Sequence, residues 1–70
     1  MLETSEKIQI ARQLLRNFEA DKYSAELNLK IAEAVGMDDL IKMHGTKAVV
    51  MTKAIKILVD ELKGLEGKND

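Results

Sequence analysis

The sequence predicts an all-α protein. Three observations carry this: the 70 residues contain no proline, 33% of them are charged, and apolar residues recur at steps of three and four. The two aromatics, Phe18 and Tyr23, and the helical rather than alternating spacing argue against a sheet. The four glycines, Gly36, Gly45, Gly64 and Gly67, punctuate the chain. Each can accept the left-handed conformation that closes a helix. The expected architecture is a small helical bundle of about three helices plus a short connecting helix, completed by self-association.

The first helix opens at Thr4 or Ser5, either of which can cap the free amides of a first turn that carries Glu6. Ile8, Ala11, Leu15 and Phe18 follow at steps of three and four, and Ile10 and Leu14 widen the stripe. The same steps continue onto Lys22, Ala25, Leu29 and Ala32, so Lys22 alone breaks the register. Asp21 and Ser24 are good caps, and beyond them Leu27, Ile31, Ala34 and Val35 form the fuller face. The reading favours two helices meeting near Asp21–Ser24 over one continuous helix across residues 5–35.

Gly36 closes that element. Asp38 or Asp39 then caps a short helix, Leu40 to His44, which Gly45 ends. Thr46 caps the last helix, Lys47 to about Lys63, with Ala48, Met51, Ile55, Leu58 and Leu62 on its stripe. Residues 1–64 form one domain, and 65–70 read as a frayed tail. The side chains expected to be most buried are Ile8, Leu15, Phe18, Leu27, Ile31, Ile55, Leu58 and Leu62. Lys53, Lys56, Lys63 and Glu26 are expected in solvent.

Composition removes most function classes. Without cysteine there is no disulfide framework, thiolate nucleophile or cysteine-based metal site. The net charge of -1 gives no global field toward nucleic acid or membrane. The longest uncharged apolar stretch, Ala48 to Met51 with Thr52, falls far below the ~20 residues of a membrane span. The opening Met1-Leu2-Glu3-Thr4-Ser5-Glu6 has neither the basic nor the apolar region of a signal peptide. A cytoplasmic setting is expected.

Catalytic and metal chemistry find no support. No Gly-x-Ser-x-Gly elbow surrounds any hydroxyl, and nothing local favours a Ser24–His44–Asp38 arrangement. His44 is the sole imidazole, and positions 40 and 48, one turn away on its face, are Leu and Ala. Asp38-Asp39 and Asp60-Glu61 are adjacent pairs whose side chains diverge on a helix. Gly64-Leu65-Glu66-Gly67-Lys68 lacks the spacing of a phosphate loop. The four methionines read as core filling. No enzyme, cofactor or metal is expected.

Leu40 to Lys63 carries five lysines against two acids, a net +3. Ile31-Ala32-Glu33-Ala34-Val35-Gly36-Met37 resembles the first helix and turn of a helix-turn-helix. That resemblance implies a DNA-binding regulator using residues 31–56, with Lys42, Lys47, Lys53 and Lys56 on phosphate. Its second helix would be short, would open on two acids and would have no arginine to read a base. Nucleic acid is therefore the weaker reading.

The favoured one follows from surplus apolar surface. A chain this short has a marginal core, yet 46% of it is hydrophobic. Val50, Ala54, Ile57 and Val59 exceed what one helical seam uses, and a second copy of the chain would cover the surplus, with Val50, Met51, Ala54, Ile57 and Leu58 as the expected oligomer interface. The expectation is a non-enzymatic helical interaction module: a small oligomeric regulatory, adaptor or inhibitor protein. Its expected partners are itself and another protein, with no membrane, and such a bundle leaves room for a small ligand between subunits.

Overall fold

The computed structural model describes residues Met1–Lys68 and shows two long antiparallel helices. Helix α1 spans Thr4–Val35 and α2 spans Asp38–Lys68. The all-helical expectation holds, but the expected helix count does not: there are two helices rather than three with a short connector. The hairpin is a rod whose backbone extends 51 × 17 × 15 Å.

The cap of α1 lies one residue before the expected Thr4. Glu3 and Glu6 form a reciprocal capping box, with the Glu3 amide donating to Glu6 Oε1 at 3.2 Å. At the other end Gly36 adopts φ 81°, and its amide donates to the Ala32 carbonyl at 2.8 Å. The Met37 amide reaches the same carbonyl at 3.1 Å. Asp38 and Asp39 then fill the first turn of α2, where acids favour the dipole.

A continuous seam explains why α1 does not bend near Asp21–Ser24. Ile8, Ala11, Leu15, Phe18, Lys22, Ala25, Leu29 and Ala32 keep the three-four alternation of a two-helix seam without interruption. Lys22 is only half-buried; its methylene stem can cover apolar surface while the ammonium reaches water. The signal for a break was cap chemistry alone, and no glycine or proline enforces it. Leu27 and Ile31, expected in the core, are 45% and 56% exposed, while Ala25 and Ala32 on the unshifted seam are 2% and 3%. Small residues at these positions let the helices approach closely.

The seam of α2 runs Ile41, His44, Ala48, Met51, Ile55, Leu58, Leu62 and Leu65, and every one of these is buried or half-buried. Gly45 was expected to end a helix and Thr46 to start one, yet both lie inside α2. An interior glycine costs only about 1 kcal/mol, and eight seam residues outweigh it. The same holds for Gly64 and Gly67. The helix runs on to Lys68, and Leu65 packs against the core where a tail was expected. Asn69 and Asp70, the rest of that tail, lie outside the described residues.

Because the chain turns at Gly36–Met37, residues equidistant from the turn face each other. At equal heights on the two helices stand Ile8 and Leu65, Ala11 and Leu62, Leu15 and Leu58, and Phe18 and Ile55. A cluster of buried residues lies at this open end, where Ile8, Ala11 and Leu62 are buried with Leu15, Leu58 and Leu65 against them. Toward the turn the layers become Lys22 with Met51, Ala25 with Ala48 and Leu29 with His44, which bring smaller and more polar side chains into the seam.

Candidate functional site

The seam divides the hairpin into two flanks of opposite character. On one flank Arg12 donates to Glu66 Oε2 at 2.6 Å, closing the open end of the hairpin. Both side chains are well exposed, so the pair is worth at most about 1 kcal/mol. A shallow cavity of about 290 Å³ beside it is lined by Ser5, Ile8, Gln9, Arg12 and Glu66. Glu19, Glu26 and Glu33 continue this flank along α1 at seven-residue steps from Arg12, and all are exposed.

The other flank carries an apolar groove of about 380 Å³, lined by Leu14 and Phe18 of α1 and by Ala54, Ile57, Leu58 and Glu61 of α2. Ile57 is 71% exposed and Val50 is 55% exposed. Their positions follow from helical geometry: Val50, Ala54 and Ile57 succeed one another by four and three, one row over from the Met51–Ile55–Leu58 seam. Ile10 extends the groove flank of α1 and is also exposed. Leu27, Ile31, Val35 and Met37 form a second exposed apolar cluster near the turn.

Of the five residues expected at an oligomer interface, Val50, Ala54, Ile57 and Leu58 therefore share one surface. Met51 does not; it is half-buried in the intramolecular seam opposite Lys22. Leu14 and Phe18 complete the groove from α1, and sequence reasoning passed over them as interface residues. Their signal was present as the widened stripe of Ile10 and Leu14.

The four lysines of the nucleic-acid reading are exposed but not united. Lys47 lies on the groove flank, Lys42 and Lys56 on the opposite flank, and Lys53 on the outer face of α2. The separate short helix at Leu40–His44 that a helix-turn-helix would use is part of α2. Ser24, His44 and Asp38 sit at three heights along the rod, spread over roughly 16 Å at 1.5 Å per residue. They do not converge. Among the described residues, no group of three His, Asp or Glu side chains is placed to hold a metal ion, and no side chain is a buried unpartnered polar group. No helix is long and apolar enough to cross a membrane.

No protein-family model matches this chain, and neither a curated protein nor a solved structure is significantly similar to it.

Proposed function

We propose that the hairpin is a self-associating, non-enzymatic interaction module, a small regulatory or adaptor protein that works by presenting its apolar flank to another helical surface. The observation that carries this is the division of the two flanks. One has the Arg12–Glu66 pair and a row of glutamates, and the other has a groove floored by Phe18, Ala54 and Leu58 beside exposed Ile57. Contiguous exposed apolar surface of this kind marks an interaction site.

Surface area supports the reading. A folded monomer of 7.8 kDa exposes about 4,400 Å², whereas the hairpin exposes 5456 Å². The excess, roughly 1,000 Å², matches one partner's share of a standard interface, about 800 Å². Likewise the radius of gyration is 15.8 Å, against about 11 Å for a compact chain of this length. A second copy is the partner every chain has at hand, and a chain without cysteine suits a reducing, cytoplasmic setting.

The test is the concentration dependence of thermal unfolding. Association that stabilises the folded state raises Tm with protein concentration by mass action. The module is expected to show that rise, and Ile57→Lys is expected to abolish it. A Tm unchanged over about a hundredfold concentration range, where the relation predicts a shift, would contradict the reading.

A further inference from the structure

The groove flank of α2 holds a second row whose charges are placed symmetrically. Met43, Lys47, Val50, Ala54, Ile57, Glu61 and Gly64 alternate steps of four and three, the spacing of a helix–helix seam. This row is separate from the one packed on α1: apart from half-buried Ala54, all its residues are exposed. Lys47 and Glu61 each stand seven residues from Ala54, on either side of it. Val50 and Ile57 bracket it at four and three residues.

Neither charge is satisfied within its own chain. The residues three and four away from Lys47 are His44, Val50, Met43 and Met51, and those around Glu61 are Leu58, Gly64, Ile57 and Leu65. Across the seam, Leu14 borders Glu61 in the groove, and Asn28 stands at the height of Lys47. Among the described residues the one ion pair joins Arg12 to Glu66, so both Lys47 and Glu61 lack a salt-bridge partner.

We propose that this row is the contact between two copies of the chain, with α2 antiparallel to the partner's α2. A twofold axis passes at Ala54, so that Lys47 of each copy meets the partner's Glu61. This rests on the self-association reading and adds its geometry. About that axis Val50 comes beside the partner's Ile57, and Met43 beside the partner's Gly64, a large residue against a small one. Ala54 at the axis allows close approach. An isologous contact of this kind closes at two copies and satisfies both charges twice, two turns or about 10 Å from the axis on each side.

Two alternatives fail on charge. A parallel pairing of the same rows sets lysine against lysine and glutamate against glutamate. The corresponding row of α1 runs Ile10, Leu14, Asn17, Asp21, Ser24, Asn28 and Ile31. Matching its isoleucines in an antiparallel pair brings the two Asp21 carboxylates together at the centre, which like-charge repulsion disfavours.

Charge reversal and crosslinking test the geometry. Lys47→Glu and Glu61→Lys each turn two attractive contacts into two repulsive ones. Each is expected to weaken dimerisation about tenfold in sedimentation equilibrium, and the double variant to return within about threefold of the original. Circular dichroism at matched concentration checks that the variants remain helical. Ala54→Cys introduces the only thiol in the chain, and mild oxidation is expected to give a covalent, helical dimer, whereas Lys53→Cys on the outer face is expected not to. A dimer indifferent to both reversals, a double variant as weak as the singles, or crosslinking at 53 rather than 54 would each overturn the antiparallel register while leaving self-association intact. An unmodified chain that sediments at 7.8 kDa would overturn both.

Discussion

Gly36 holds a left-handed conformation with φ 81°, so a Cβ there strains the backbone although nothing stands within 4 Å to clash with it. Gly45 also has open space around its Cα, but it sits inside α2 with helical backbone. The same substitution therefore acts in opposite directions at the two sites. Gly36→Ala is expected to destabilise the hairpin by about 1 kcal/mol, and Gly45→Ala to stabilise it by about 0.5–1 kcal/mol by removing helix-disfavouring freedom. Urea denaturation of the two variants at equal protein concentration checks the pair. Destabilisation by Gly45→Ala would mean that α2 is interrupted there after all. This contrast also marks a limit of legibility. All four glycines look alike in the sequence, and only the end of the seam beside Gly36 tells the stop from the three that are carried through.

At the scale of the helices, the governing pattern was readable: the seam of α1 from Ile8 to Ala32 can be traced by step-counting, and so can most of α2's. What misled was local chemistry. Asp21, Ser24 and Thr46 all favour caps, and each cap is worth about 1 kcal/mol. A seam that continues past such a residue outweighs it, because every further layer buries apolar area at about 25 cal/mol per Å². Shifting the stripe onto Leu27 and Ile31 followed residue size, whereas register selected Ala25 and Ala32, the smaller and better-buried side chains. Two substitutions examine this seam. Lys22→Leu replaces its one lysine, and a leucine opposite Met51 is expected to raise stability by about 1 kcal/mol. Were α1 broken near Asp21–Ser24, that change would have no such effect. Leu62→Ala opens the buried cluster of Ile8, Ala11 and Leu62 and is expected to cost about 2–4 kcal/mol, seen as a lower urea midpoint. A cost below about 1 kcal/mol would place Leu62 outside a packed core.

Taken whole, the hairpin has a thin core: among the described residues the buried hydrophobics are Ile8, Ala11, Ala25, Ala32 and Leu62. A domain's net stability is a small difference between large terms, and so thin a core leaves little to oppose chain entropy. The apolar flank is the surface able to add to it. Surplus on Val50, Ala54 and Ile57 was legible because these residues exceed a single stripe. The partition into a charged flank and an apolar one was not, since it depends on which side of the seam each residue falls once the two helices are antiparallel. The Arg12–Glu66 pair, 54 residues apart in sequence, illustrates why. Ile57→Lys places a charge at the centre of the apolar flank and is expected to leave a poorly stable monomer with a concentration-independent, lower melting transition. The most direct measurement of the central claim is the mass of the unmodified protein by sedimentation equilibrium, at concentrations bracketing about 100 micromolar, where even a weak complex is populated. The account predicts a particle of twice 7.8 kDa; a fully helical particle of 7.8 kDa throughout that range would contradict it.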